Sequence, residues 1–273
     1  MILIIIVIII LIYIIYYIKY NSNNIEFKII DIHFHNKIKN IISLEKLKNF
    51  GKNQNVFIIK SKSVDTHILN KSEIVKINLN KYLNNMTDKW YLKSEDDIND
   101  FLYELNIKKK LLDKFKYKYP VKNLLNNSLS TWCGGKGTTT GWHKDYNDLS
   151  YLYVVEGVKR VLIASNSKNN MYEKSNENHV YCQYSEVDFM NPDYAKFPNY
   201  KKVVIDEYIL NEGDSIFIPQ NIWHCVENLE DTLALTYNAF TINYPFIFLP
   251  QYLYSLFKYV IGYKIDKLSF NVN

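Results

Sequence analysis

The pairing of His143 with Asp145, in the stretch WCGGKGTTTGWHKDYNDLSYLYVVEGVK from Trp132 to Lys159, constrains this chain more than any other feature. On a β-strand, residues i and i+2 point to the same face, so an imidazole nitrogen and a carboxylate oxygen are offered to a single ion. The third donor has to come from elsewhere, and His224 is the candidate. It lies in GDSIFIPQNIWHCVENL, where Gly213 and Asp214 read as a turn, SIFIP as a short buried strand, and the imidazole follows as the chain continues. Two histidines and one carboxylate make a facial triad with three coordination positions left open. That donor set suits a non-haem Fe(II) centre rather than a closed structural zinc site.

Around the triad, Trp132, Gly135, Gly137 and Thr140 precede His143 and Asp145, and Gly157-Val158-Lys159-Arg160 forms a G-x-K-R turn. SEVDFMNPDYAKFPNY follows at 185–200, then the G-D-x-x-x-I-P-x-x-W-H pattern ending at His224, then TLALTYNAF from Thr232 to Phe240. Together these motifs resemble the JmjC-type, cupin-like branch of the Fe(II)/2-oxoglutarate-dependent oxygenases. The resemblance runs from about Tyr91 to Phe240, with a weaker match upstream at NQNVFIIKS. It implies a mainly β fold, a double-stranded β-helix (jelly-roll, cupin) barrel with flanking α-helices. Fe(II), 2-oxoglutarate and O2 are the implied cofactors, with His143, Asp145 and His224 as metal ligands and catalytic residues.

The resemblance also implies roles in cofactor binding for Thr140, Lys159, Tyr91, Asn238 and Trp132. Lys159 would meet the distal carboxylate of 2-oxoglutarate, with a hydroxyl from Thr140 and the phenol of Tyr91, which belongs to the segment KWYLK. Asn238 would hydrogen-bond near the cofactor. Each has a plainer reading beside it: a lysine in such a turn usually faces solvent, Tyr91 is one of 24 tyrosines, and a buried asparagine often only satisfies backbone. In one respect the sequence departs from the family, because the interval from Asp145 to Lys159 is one residue longer. The asparagine expected after the metal pair is therefore matched by Asn147 or replaced by Ser150.

For the activity, the resemblance implies hydroxylation of a protein side chain or of a modified RNA nucleoside. Demethylation of an N-methyl-lysine is an alternative, since the same oxidation on an N-methyl group ends in its loss. A catalytically inactive cupin-like binding module is a second alternative, although such a barrel would normally have lost a ligand. Residues 165–200 are polar and loop-like, and a loop of that length is expected to carry specificity or to act as a lid.

The chain divides into an anchor at 1–20, a catalytic domain at 21–240 and a tail at 241–273. Residues 1–18, MILIIIVIIILIYIIYYI, carry no charge and cover roughly 27 Å as a helix, which reads as an N-terminal transmembrane helix. Lysines follow this span and none precedes it, so the expected arrangement is single-pass in a membrane with the catalytic domain cytosolic. Sequons at Asn70, Asn85 and Asn126 would argue for the opposite side if used. In the tail, Leu253, Leu256, Phe257 and Val260 have amphipathic helical spacing, open to packing on the domain, homodimerisation or membrane contact.

The formal charge of +5 is almost all lysine, since Arg160 is the only arginine. No basic cluster interleaved with aromatics marks a nucleic-acid surface. Cys133, Cys182 and Cys225 share no paired spacing, and Cys225 reads as a small core residue on the face opposite His224. Upstream, IEFKIIDI reads as a strand, Ser43 as the start of a helix and VFIIK as a strand. His33 and His35 read as structural or surface histidines, because no carboxylate or third ligand follows at useful spacing. A capped amphipathic helix is expected from Ser94 through Leu105.

Overall fold

The computed structural model describes residues 26–29, 32–50, 52, 55–59, 74–87, 91–94, 124–145, 149–164, 168–174 and 182–241. Its strands are β1 (Glu26–Ile29), β2 (Asn55–Ile59), β3 (Ile74–Asn78), β4 (Tyr91–Ser94), β5 (Leu124–Gly134), β6 (Thr139–Asp145) and β7 (Leu149–Glu156). They continue with β8 (Lys159–Ala164), β9 (Cys182–Tyr184), β10 (Ile205–Leu210), β11 (Asp214–Phe217), β12 (Trp223–Asn228) and β13 (Thr232–Thr241). Two antiparallel sheets result, one of eight strands in the order β1-β11-β7-β13-β5-β4-β2-β3 and one of five in the order β10-β8-β12-β6-β9. This is the mainly β, two-sheet architecture expected of a jelly-roll.

Side-chain alternation explains the layering. In β7, Tyr151, Tyr153 and Val155 face one way and Leu152 and Val154 the other, and all five are buried. A strand apolar on both faces needs cover on both. Leu152, Val154, Ile216 and Ala234 of the larger sheet meet Val161, Ile163 and Val226 of the smaller one, and that cluster fills the space between the sheets. On the outer face of the larger sheet, Tyr151, Tyr153, Leu233 and Leu235 pack under Ile38, Ile42, Leu47, Leu79 and Tyr82. Those last residues come from three short helices, Ile32–Lys39, Leu44–Phe50 and Leu79–Asn84, and the turn between the first two.

The strands at 26–29 and 55–59, the Gly157 turn and the three closing strands fall where the sequence places them, and Ser43 Oγ accepts from the Lys46 amide at 3.2 Å at the expected helix start. The helix Ile32–Lys39 is a correction, because the sequence reading left no helix before Ser43. It packs through His35 and Ile38, and its single apolar stripe is too short to show as a period. Ser94 closes β4, an extended conformation that a helix cap also takes, while the rest of the expected helix lies outside the described residues. So do the segment 1–20 and the tail beyond Thr241. Among the described residues no helix is long and apolar enough to cross a membrane.

At the turn between β7 and β8, Gly157 has φ +82, and a Cβ there would run into the Asp231 backbone and the Thr232 side chain. Only glycine fits, and the turn sets the register that carries Lys159.

His35 is a structural histidine, as expected, and it ties the first helix to the sheet. Its Nδ1 lies 2.7 Å from the Tyr153 hydroxyl and its Nε2 3.1 Å from Glu212 Oε1. The neutral tautomer that satisfies both accepts from Tyr153 and donates to Glu212. Burial opposes ionisation of Glu212, but hydrogen bonds from Lys39 and His35 outweigh it and hold the carboxyl below its ordinary range. Replacing His35 by leucine should leave the Tyr153 hydroxyl buried without a partner, at about 1–3 kcal/mol plus any misfit. Urea unfolding of the full chain reads this as a lowered midpoint with an unchanged slope.

Candidate metal centre and anion pocket

His143 and Asp145 end β6, and His224 begins β12, the strand paired with it. His143 and His224 face each other directly in the register, their ring centroids 4.1 Å apart. One donor atom from each of His143, Asp145 and His224 falls within 4.8 Å of the others, so the structure brings together all three residues expected as ligands.

The backbone orients the two imidazoles. His143 Nδ1 lies 2.8 Å from the Gly141 carbonyl and His224 Nδ1 2.9 Å from the Ile222 carbonyl. A carbonyl only accepts, so each Nδ1 carries the proton and each Nε2 keeps its lone pair. Both lone pairs point toward Asp145, with Nε2 of His143 4.0 Å from Oδ1 and Nε2 of His224 3.8 Å from Oδ2. Those separations are too long for hydrogen bonds and leave room for an ion between the three groups. Burial, with the His143 ring beside it, pushes the His224 imidazole down to about 4, so it stays a neutral donor at physiological pH. The Asp145 side chain is 21% exposed, which leaves the centre open on one side.

A second group sits farther along the same interior. Lys159 shares a face of β8 with Val161 and Ile163, and it is 1% exposed. Its Nζ donates to Asn228 Oδ1 at 2.6 Å and to the Tyr91 hydroxyl at 3.5 Å. Burial pushes the ammonium down to about 7. The Tyr91 phenol is hydrogen-bonded to the Thr140 side chain, and burial holds it neutral. Across the ladder from Tyr91 stands Gly134, where a Cβ would collide with the phenol ring and with Thr138 Oγ1. Glycine there is what lets the phenol lie over β5.

Thr140 and His143 are three residues apart and would face opposite ways on a regular strand. A β-bulge on β6 resolves this: His224 pairs with His143 while Val226 pairs with Thr140, so two intervals on β12 match three on β6. Trp132 packs beside Tyr91, with centroids 5.7 Å apart. Asn238 pairs with Ser150 and Ser128 toward the C-terminal end of β13, a central strand of the larger sheet, and its buried Oδ1 has no hydrogen-bond partner among the described residues. No described contact joins it to the lysine group.

Three participants escaped the sequence reading. Asn228 lies four residues beyond His224 on one strand, and strand parity alone would have put it on the same face. Thr138 supports Asn228 through a 2.7 Å bond from Nδ2. Tyr184 pairs with His143 across the ladder between β6 and β9, and its ring stacks on the imidazole at 5.4 Å and 17°. The segment 165–200, expected to carry specificity or to act as a lid, is packed on the smaller sheet where it is described. Met171, Val187, Phe197 and Tyr200 pack on Trp142, Trp223 and Cys225, and Trp142 Nε1 donates to the Tyr200 hydroxyl at 2.9 Å. Cys225 thus faces away from the metal side, as expected of its strand position.

Residues 34–242 match the cupin-like domain family. The chain belongs to that family. Its relatives include the JmjC domain-containing protein D of Dictyostelium discoideum, 34% identical over 40% of this chain and 24% of that protein. An arginine-specific demethylase of Arabidopsis thaliana is 35% identical over 39% of this chain and 22% of its own length. Lysine-specific demethylase 8 of Danio rerio is 29% identical over 40% of this chain and 27% of its own. This cupin-like chain thus spans about a quarter of the length of these curated relatives. A solved structure, that of E. coli ycfD, is 17% identical, with a TM-score of 0.46, and aligns over 73% of this chain and 45% of that one.

Two neutral imidazole nitrogens and a carboxylate are the donor chemistry for a divalent iron with open positions, and the lone pairs already converge. The residues present therefore fit the metal that the JmjC-type, cupin-like family uses.

Proposed function

We propose that this cupin-like chain is an Fe(II)/2-oxoglutarate-dependent oxygenase that hydroxylates a side chain of a protein substrate. The observation that carries this reading is the shared interior of the two groups. A convergent two-histidine, one-carboxylate set lies on the same face as a buried lysine whose described partners are neutral. Ferrous iron with 2-oxoglutarate and O2 supplies an oxidative decarboxylation to succinate and CO2, coupled to insertion of one oxygen atom into a substrate C–H bond.

The chain's own residues bind and orient. His143, Asp145 and His224 hold the metal on one side, and the bonds from Nδ1 to Gly141 and Ile222 keep both rings turned toward it. Lys159, Tyr91 and Thr140 receive the distal carboxylate, where a charge-assisted contact in a dry site is strong. Trp132 closes the pocket beside Tyr91, and Asn238 on the neighbouring sheet would reach the co-substrate only through its amide nitrogen, the donor end of its carboxamide. The open side at Asp145 admits substrate.

A second reading, N-methyl demethylation, draws support from the names of the Danio and Arabidopsis relatives. It uses the same chemistry on a methyl carbon, with formaldehyde released afterwards. An RNA nucleoside is the remaining substrate class, and an inactive binding barrel would turn over nothing. The full chain incubated with Fe(II), 2-oxoglutarate and O2, with peptide, methylated-peptide and RNA pools in parallel, separates them. Succinate release with a gain of one oxygen mass on a peptide is the expected result. Loss of one methyl mass would select demethylation, a mass change only on RNA would select the nucleoside, and no succinate from any pool would overturn the oxygenase reading.

A further inference from the structure

We propose that Asn228 is the positioning residue of the anion pocket, a neutral acceptor that aims the Lys159 ammonium without cancelling its charge. This rests on the 2-oxoglutarate reading above.

Lys159 and Asn228 are each 1% exposed, and their side chains meet at 2.6 Å. An ammonium only donates, so the carboxamide must present its oxygen to Lys159 and its nitrogen the other way. There Nδ2 donates to Thr138 Oγ1 at 2.7 Å, and the Thr138 hydroxyl donates its one proton to the Gly135 carbonyl at 2.8 Å. The donors therefore run in one direction, from lysine through asparagine and threonine to a backbone carbonyl. The backbone of Asn228 is pinned as well, its amide donating to Thr138 O at 2.9 Å and its carbonyl accepting from Gly137 N at 2.7 Å. Neither end of the carboxamide has room to turn.

A buried ammonium usually pairs with a carboxylate, because an unpaired charge in a dry interior is costly. Among the described residues Lys159 forms no ion pair. The groups bonded to it are neutral: Asn228 from β12 and the Tyr91 phenol from β4, which burial holds protonated. Asn228 takes one of the three ammonium protons and Tyr91 a second, at longer range. When the lysine is protonated, one proton and the charge remain for an incoming carboxylate. An aspartate at 228 would keep the contact to Lys159 and, having only acceptors, would meet Thr138 with the hydroxyl proton turned to it from the Gly135 carbonyl; it would satisfy the lysine with a charge, leaving the pocket nothing with which to attract an anion.

The test is Asn228→Asp in the full chain, kept anaerobic, with Fe(II) binding and radiolabelled 2-oxoglutarate binding measured separately by equilibrium dialysis and folding followed by thermal unfolding. The expected result is unchanged Fe(II) affinity, an unfolding temperature no lower than wild type, and 2-oxoglutarate affinity weakened at least about 10-fold. Equal 2-oxoglutarate affinity in variant and wild type would overturn the assignment, and so would a parallel loss of iron, which marks a structural role. If Asn228→Asp does not fold, Thr138→Val decides. It frees Nδ2 from its acceptor and should weaken 2-oxoglutarate a few-fold with iron unaffected, and no change there overturns the proposal. A wild-type chain that binds Fe(II) but no 2-oxoglutarate would remove the functional reading itself, whereas wild-type binding insensitive to position 228 removes only this inference.

Discussion

Asp145→Ala is expected to lose Fe(II) binding and with it all 2-oxoglutarate turnover, while the barrel stays folded. Among the described residues the carboxylate is the only negative donor in the centre, and it is partly exposed, so its removal leaves two imidazoles that the protein already satisfies through Nδ1. Loss of an outer partner of a metal ligand costs about 10–100-fold in affinity, and loss of a ligand should exceed that range. His143→Ala and His224→Ala should do the same, with some added instability because both rings are buried. Iron titration followed by succinate assay checks all three. Retained turnover in any one of them would remove that residue from the ligand set.

The second large effect is expected at Lys159. Lys159→Met should raise the KM for 2-oxoglutarate by about 10–100-fold, the equivalent of one charged hydrogen bond of about 1.5–3 kcal/mol, with iron affinity unchanged. The pH dependence carries a sign. Burial brings this lysine from 10.5 down to about 7, so between those values the unfolded chain binds a proton that the folded chain does not. The stability of the cosubstrate-free protein should therefore rise with pH across that window, and Lys159→Met should flatten the rise. Affinity for 2-oxoglutarate runs the other way. A dicarboxylate wants the charged lysine, so binding should weaken as pH climbs above about 7 in the wild type and stay level in the variant. A wild-type affinity flat from neutral to alkaline pH would take the carboxylate away from Lys159.

Much of this was legible because strands alternate. His143 and Asp145 two apart, apolar runs bounded by turn residues, and the glycine at 157 each give a local signal that the fold obeys. What escaped is non-local. The extra residue in β6 breaks the parity between Thr140 and His143, and only the register with β12 reveals it. The partnership of Lys159 and Asn228 depends on the ladder between β8 and β12, which opposes those two residues directly. Tyr184 reaches His143 through a three-residue strand too short to show a pattern. The helix Ile32–Lys39 is fixed by His35 reaching Tyr153 and Glu212, partners more than a hundred positions away.

β12 carries His224 at one end and Asn228 at the other, and ladders to β6 and β8 hold it on both sides. Four residues of strand span about 13 Å, and a strand clamped in that way does not stretch. The separation between the metal donor and the support of the lysine is thus a ruler graduated in backbone repeats. Side-chain changes at the rim alter which substrates are admitted, but they leave the ruler untouched. On the oxygenase reading proposed above, selection among 2-oxo diacids by carbon-chain length would therefore belong to the scaffold, and a change of co-substrate would require moving the lysine by a whole pleat along β8 rather than adjusting what surrounds it.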